Sequence, residues 1–345
     1  MTTTLHLDAA NPADIARAAE ILRSGGTVAF ATETVYGLGA NALSEPANAK
    51  IFAAKQRPSW DPLIVHFASP SALSSITSID PASELHRRVS LLAEAFWPGP
   101  LTLLLPRTAS VPYTVTAGRP LVGVRIPSHP AALALLKATG LPIAAPSANT
   151  FGHTSPTTAA HVLADLNGRI DAILDAGPTT VGLESTVLDP AQTPMVLYRP
   201  GAVTPEELTA ATGVPVQIFV PAESPTPAQP EALPSPGVGI RHYAPHARLQ
   251  LVEGTEAALN QSLETVGEGE RTGVFLPLGW KLTTQNVVIE HWGNWADLPS
   301  LAATLFRGLR ALDDQGVTLI LCPLPPPGGL ADAIRDRLQK AARSV

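Results

Sequence analysis

Several short stretches of this chain set hydroxyl, amide and cationic side chains at the ends of apolar runs. Thr32-Glu33-Thr34-Val35-Tyr36-Gly37-Leu38-Gly39 follows the β-type run Thr27 to Ala31. Hydroxyls and a carboxylate followed by glycines suit a site where backbone must approach a ligand closely, or a turn whose hydroxyls satisfy their own backbone. Lys55-Gln56-Arg57-Pro58 closes a helical stretch, where cations also complement the helix dipole. Asp61-Pro62-Leu63-Ile64-Val65-His66 follows at once and sets His66 among apolar neighbours, either as a satisfied core residue or as a ligand group. Arg125 lies inside Gly123-Val124-Arg125-Ile126-Pro127. An arginine in an apolar strand keeps its charge and must meet an anion, from the protein or from a ligand.

Ala145-Pro146-Ser147-Ala148-Asn149 ends another run, and Gly152-His153-Thr154-Ser155-Pro156 leads into a helix, as an anion-binding corner or simply as a cap. Glu184-Ser185-Thr186 opens a β-run and Tyr198-Arg199-Pro200-Gly201 ends one. Arg241-His242-Tyr243-Ala244-Pro245-His246 follows a proline-rich stretch. His242 and His246 have a metal-like spacing, but Pro245 between them opposes a shared helix face, so no metal site is expected. There is no G-x-x-x-x-G-K-[ST] loop, and Gly37-Leu38-Gly39 does not continue into G-x-G-x-x-G. The chemistry these residues suit is a cleft for a polyanionic small molecule, held by scattered side chains.

The elements that must position them alternate. Asn11-Pro12-Ala13-Asp14 reads as a helix start and Gly25-Gly26 as its stop. The patterning predicts helices over Pro46–Lys55, Pro81–Phe96, Pro130–Thr139 and Thr157–Leu166. It predicts strands over Leu63–Phe67, Leu101–Leu105, Val122–Ile126, Pro142–Ala145, Ala172–Leu174, Thr186–Leu188 and Met195–Tyr198. Strands that both interleave with helices and follow one another indicate a mixed α/β sheet. Six prolines between Pro221 and Pro236 mark a semi-rigid linker. Beyond it the alternation restarts, with extended Leu249–Val252 and Gly273–Phe275, helical Glu256–Glu264, Leu298–Leu312 and Leu330–Ala342, and the apolar strand Val317–Leu321. That is compatible with a small Rossmann-like domain.

A chain of 345 residues exceeds the size at which one core keeps growing, so two domains are expected. The single cysteine, Cys322, excludes an intrachain disulfide and reads as a buried thiol at a strand end. A net charge of −6 argues against nucleic-acid binding over the whole surface, and makes the positions of the 23 basic residues informative. No apolar run of about eighteen residues and no basic, then apolar, leader occurs, so a cytoplasmic protein with no membrane partner is expected.

In order along the chain, Thr32 to Gly39, Lys55 with Arg57, Leu63 to His66, Trp97-Pro98-Gly99-Pro100-Leu101-Thr102, Val124-Arg125-Ile126-Pro127, Ala145 to Asn149, Ser185-Thr186-Val187, Arg199-Pro200-Gly201, and Ser235-Pro236-Gly237 with Arg241 to Pro245 resemble the YrdC/Sua5 family of threonylcarbamoyl-AMP synthases. The stretch ending in Gly328 to Ile334 and Arg337-Leu338 is similar to that family's long-form C-terminal domain. Two departures stand out: Ala31 where proline is typical, and Asp61 where asparagine is usual before Pro62. A carboxylate there must be paired or turned away from phosphate.

The resemblance implies a YrdC-like catalytic domain with a twisted mixed sheet over residues 1–215, a proline-rich linker or lid over 216–245, and a Sua5-type domain over 246–345. It implies condensation of L-threonine, bicarbonate and ATP to threonylcarbamoyl-AMP and pyrophosphate, with Mg²⁺ assisting. The product would pass to a tRNA-modifying threonylcarbamoyl transferase complex, for N6-threonylcarbamoyladenosine at position 37 of tRNA. Lys55, Arg57, Ser147 and Asn149 would be catalytic. ATP would meet Lys55, Arg57, Asp61, Ser147, Ser155, Arg199, Arg241, His242 and Tyr243, the last three as a covering lid. Threonine would meet Thr34, His66, Arg125, Ala145 and Ser185. Two other readings stay open. One is a carbamoyl-adenylating relative of the hydrogenase-maturation type, though the acylphosphatase and zinc-finger segments are missing. The other is an RNA-binding module, though aromatics make up only 5% of the chain and tight nucleic-acid binding is not expected.

Overall fold

The structure, a computed structural model, describes residues 3–220, 235, 242–267 and 269–343. The described chain separates into two compact units. One takes the described residues of Met1–Phe151, Pro156–Thr180 and Glu184–Gly239, and the other those of Gly152–Ser155, Val181–Leu183 and Ile240–Val345.

The first unit holds strands β1 (Leu5–Asp8), β2 (Val28–Ala31), β3 (Tyr36–Asn41), β4 (Ile64–His66), β5 (Leu101–Pro106), β6 (Leu121–Arg125), β7 (Ile143–Ala144), β8 (Ala172–Asp175), β9 (Thr186–Asp189), β10 (Met195–Arg199) and β11 (Val216–Ile218). Its helices are α1 (Pro12–Arg23), α2 (Glu45–Lys55), α3 (Glu84–Phe96), α4 (Tyr113–Thr116), α5 (Pro130–Thr139), α6 (Ala159–Leu166) and α7 (Pro205–Thr212). The strands form one 11-stranded sheet in the order β1-β8-β2-β3-β7-β4-β6-β5-β9-β10-β11. Parallel pairs (β1 with β8, β4 with β6, β5 with β9) alternate with antiparallel ones (β2 with β3, β5 with β6), so the sheet is mixed, as the interleaved pattern predicts.

Side chains on successive strand residues point to opposite faces, and both faces are covered. Val28 and Phe30 of β2 pack with Ala18, Ala19 and Leu22 of α1 and Leu135 of α5. Ala29 and Ala31 join the other core, with Ile51 of α2, Leu92 of α3 and Val162 of α6. A sheet buried on both faces demands continuous apolar strands, which is why Val-Ala-Phe-Ala and Leu-Thr-Leu-Leu-Leu read so clearly.

Local signals set the helix ends. Asn11 accepts a hydrogen bond from the Ala13 N–H at 3.0 Å and Pro12 opens α1. Thr204 and Glu207 form a reciprocal capping box at α7. β3, which the composition leaves inside a polar motif, is a strand because its glycines lie where side chains would collide. A Cβ on Gly39 would sit 2.8 Å from the Phe30 ring and 2.9 Å from Ile143.

The second unit builds a separate four-stranded sheet from β12 (Arg248–Val252), β13 (Thr272–Pro277), β14 (Val288–Gly293) and β15 (Leu319–Pro323), in the order β12-β15-β13-β14. Every pair in it is parallel. Helices α8 (Glu256–Glu264), α9 (Leu298–Asp314) and α10 (Leu330–Ala341) complete it. Val274, Leu276, Leu319 and Leu321 form its core with Leu259. Cys322 is buried in β15, and burial raises its thiol far above the ordinary range, so it stays protonated. Among the described residues, no helix is long and apolar enough to cross a membrane.

Candidate functional site

Arg125 is the last residue of β6 and lies beside His66, the last residue of β4, in the parallel register. Both side chains are buried. The loop between β2 and β3 brings Thr34 and Glu33 to the same guanidinium. Arg125 Nη1 donates to Thr34 Oγ1 at 2.9 Å, Nε donates to the Gly99 carbonyl at 3.1 Å, and Nη2 lies 2.6 Å from Glu33 Oε1. The anion that a buried arginine requires is therefore a protein carboxylate, Glu33. Burial, the largest influence, pushes the Glu33 carboxyl up, but the charge and close approach of Arg125 and the backbone N–H groups of Glu33 and Ser128 together outweigh it and hold Glu33 below the usual carboxylate range.

His66 responds in the opposite sense. Burial first, and the Arg125 charge second, pull its imidazole down to about 3, so the ring is neutral at pH 7. Its Nδ1 is buried and has no hydrogen-bond partner among the described residues. Thr34 is itself fixed by Thr32, whose hydroxyl lies 2.8 Å away. Ala145 follows β7, and its N–H donates to the Ile64 carbonyl at 2.9 Å, which sets it against Gly37. Arg125, Thr34, His66 and Ala145 thus lie on neighbouring elements. Glu33, visible in the motif as a carboxylate, was given no role by the sequence. The signal that could have assigned one was the need of Arg125 for an anion.

A second basic group is built differently. Lys55, the last residue of α2, points its Nζ at the carbonyls of Ser147 (2.6 Å) and Asn149 (2.5 Å). Burial, then the charge of Arg57, pulls the Lys55 ammonium well below the ordinary lysine value, while Asp61, Asp165 and Glu184 pull it back. Gln56 adopts a left-handed conformation that ends the helix and turns the chain toward Arg57. Arg57 pairs with Asp61 at 3.0 Å and donates to the carbonyls of Asp61 (3.1 Å) and Pro62 (2.7 Å). The extra negative charge of Asp61 is thereby paired, and its side chain is fully buried. The segment carrying Ser147 is held on β3, with Leu38 N–H donating to Pro146 and Ala148 N–H donating to Tyr36, both at 2.8 Å. Lys55, Arg57, Asp61, Ser147 and Asn149 therefore come together.

Ser185 and Arg199 form a third group. Arg199 Nε donates to the Ser185 carbonyl at 3.0 Å and Nη2 donates to its hydroxyl at 3.2 Å, while Ser185 Oγ lies 2.8 Å from Thr102 Oγ1. Thr102, which closes the Trp97–Thr102 motif and was assigned no role there, is a neighbour of this group. Gly201 is required next to this group, because a Cβ there would lie 2.4 Å from the Thr186 nitrogen.

Ser155, His242 and Tyr243 group with the second unit. Ser155 is fully buried. The Ala244 N–H donates to the Gly152 carbonyl at 2.9 Å and the rings of His153 and His246 meet edge-on at 4.7 Å. Tyr243, with a positive φ of 65°, stacks on Phe306 at 5.7 Å and lies beneath the Arg337 guanidinium at 5.2 Å. Arg241 and most of the proline-rich stretch lie outside the described residues. Among the described residues, no group of three or more His, Cys, Asp or Glu side chains is arranged to hold a metal ion.

The sequence family Sua5–YciO–YrdC, described as "Telomere recombination", matches residues 20–201, and the family described as "Threonylcarbamoyl-AMP synthase, C-terminal domain" matches residues 203–343. A threonylcarbamoyl-AMP synthase of Bacillus subtilis is 43% identical over 96% of this chain and 94% of its own. One of Pyrococcus abyssi is 41% identical over 94% and 93%. The crystal structure of P. abyssi Sua5 complexed with L-threonine superposes with a TM-score of 0.87 at 38% identity, covering 99% of this chain and 98% of that one.

Proposed function

We propose a mechanism from one premise: the chain belongs to the Sua5–YciO–YrdC family and carries the C-terminal domain of threonylcarbamoyl-AMP synthases. It is an enzyme that joins L-threonine to the AMP moiety of ATP through a carbamoyl carbon, for threonylcarbamoylation of tRNA. Bicarbonate supplies that carbon. The threonine amine adds to bicarbonate, giving the carbamate and water. A carbamate oxygen then attacks the α-phosphorus of ATP, and pyrophosphate leaves. No covalent enzyme intermediate is needed, so the residues act by positioning and charge neutralisation.

One observation carries the threonine assignment: Arg125 and Thr34 are 2.9 Å apart, buried, and registered beside a neutral His66. Arg125 takes the substrate carboxylate through its planar fork. Thr34, His66, Ala145 and Ser185 shape the rest of the amino-acid site. Lys55, Arg57 and Arg199, oriented from behind by carbonyls, attract the phosphates, and an arriving polyanion restores the ammonium of Lys55 that burial disfavours. Ser147 and Asn149 position nucleotide and carbonyl oxygens. In this reading Asp61 serves the nucleotide through Arg57, with which it is paired. Mg²⁺ bound with the triphosphate would supply neutralisation of the phosphate charge; no acidic cluster to hold it is assembled among the described residues. The catalytic part is residues 1–218, because β11 (Val216–Ile218) belongs to its sheet and so moves the expected boundary at 215, with a linker from there to 245 and 246–345 as the second domain. The product passes in the cytoplasm to a threonylcarbamoyl transferase complex.

The test is pyrophosphate release from ATP. It is expected only when threonine and bicarbonate are both present. Release that ignores either one would remove this reading, and tight RNA binding without release would favour an RNA-binding module.

A further inference from the structure

We infer that Glu33 anchors the α-ammonium group of the substrate, so that Glu33 and Arg125 together read the zwitterion of a free α-amino acid. The inference rests on the reading that Arg125 takes the substrate carboxylate. Its evidence is a mismatch between contact and satisfaction. Glu33 Oε1 and Arg125 Nη2 lie 2.6 Å apart and both residues are buried. Yet the approach is not an aligned hydrogen bond, and Glu33 Oε1, Glu33 Oε2 and Arg125 Nη2 all lack a hydrogen-bond partner among the described residues. The Arg125 side chain first, then the N–H groups of Glu33 and Ser128, lie near enough to favour the carboxylate charge, yet none of them is an aligned hydrogen bond. The other side of the guanidinium is committed to Gly99 and Thr34, so Arg125 cannot turn to improve the pairing.

Buried polar atoms are nearly always hydrogen-bonded, and exceptions call for an explanation. Here the unmet atoms are complementary: donors on Arg125 and acceptors on Glu33, side by side. An α-amino acid carries its ammonium and carboxylate on one carbon. It can meet both where the receptor's acid and base are neighbours. If Glu33 served only to hold Arg125, an aligned two-pronged pair would be the better geometry.

The test is calorimetric binding of three ligands to the full chain. They are L-threonine, 3-hydroxybutyrate (carboxylate and hydroxyl, no amine) and threoninol (amine and hydroxyl, no carboxylate). The wild type is expected to bind 3-hydroxybutyrate about 30-fold more weakly than threonine, the usual loss when a charged partner goes unmatched. In Glu33→Gln that preference should collapse to about threefold or less, with 3-hydroxybutyrate affinity itself unchanged. Equal weakening of threonine and 3-hydroxybutyrate by Glu33→Gln would overturn the inference, since Glu33 would then act only through Arg125. So would a wild type that does not distinguish the two ligands, an arm that needs no variant to fold. Glu33→Asp, which keeps the charge, should restore part of the preference. Threoninol isolates the underlying reading: if the wild type binds it as well as threonine, the carboxylate role of Arg125 fails while the amine comparison is still read separately.

Discussion

Two buried basic groups in the first unit are held in opposite ways. Around Lys55 and Arg57, carbonyls of Ser147, Asn149, Asp61 and Pro62 accept hydrogen bonds from the cations, and the Asp61 carboxylate forms an ion pair with Arg57 at 3.0 Å, as Glu33 does with Arg125 at 2.6 Å. Around Arg125, two donors are committed but Nη2 faces a carboxylate without an aligned bond, and the neighbouring His66 leaves Nδ1 unmet. In the proposed function the first group is a frame and the second is a receptor. The difference teaches how one fold treats two substrates. In that reading a triphosphate is attracted by charge presented from a fixed frame, whereas a small amino acid is recognised by hydrogen-bonding groups that the protein does not commit to itself.

The largest expected effect breaks the frame. Arg57→Ala leaves the Asp61 carboxylate buried without its guanidinium, and should lower unfolding free energy by about 3–5 kcal/mol in urea melts. The double variant Arg57→Met with Asp61→Leu should recover most of that stability while still failing to turn over ATP. Recovery of turnover would mean that Arg57 is framework alone.

The next effect belongs to the receptor. His66 has a folded value of about 3 against about 6.5 in an unfolded chain, so the unfolded state binds the extra proton. Its contribution is fully present above pH 6.5 and is lost as pH falls toward 3. Between pH 7 and pH 5 that amounts to about 2 kcal/mol of lost stability. His66→Asn should flatten this part of a stability–pH profile. A profile that stays as steep without His66 would show that the imidazole is not held neutral.

The smallest effect sits where the receptor is already satisfied. Thr34→Val removes the hydroxyl that accepts from Arg125 Nη1, and should cost about 1 kcal/mol of stability. Threonine affinity should fall about fivefold if the same hydroxyl aligns the fork.

Much of this was legible in the residues themselves. The helix Pro130–Thr139 and the strands beginning at Leu101 and near Val122 followed from patterning, because a sheet covered on both faces needs unbroken apolar runs. Strand β3 was not read as one. Its glycines, usual marks of a turn, are there to let Phe30 and Ile143 pack against bare backbone. Helix α7 carried its capping-box signal, Thr204 with Glu207, and went unread, while β1, β11 and β14 are partly exposed strands of three to six residues with weak alternation. In the site, a strand-borne arginine announced a need for an anion, but only the three-dimensional approach of the β2–β3 loop named Glu33 as its source. The pairing of Asp61 with Arg57 was likewise beyond sequence, since spacing alone does not say which way a carboxylate turns.

The account stands or falls on Arg125 as the carboxylate receptor. The direct measurement is L-threonine affinity, by calorimetry, for the wild type and for Arg125→Lys. Lysine keeps a positive charge opposite Glu33, so the fold should survive, but it lacks the planar fork. The expected result is a folded protein with threonine binding weakened at least about 30-fold. A folded Arg125→Lys protein that binds threonine as tightly as the wild type would contradict it.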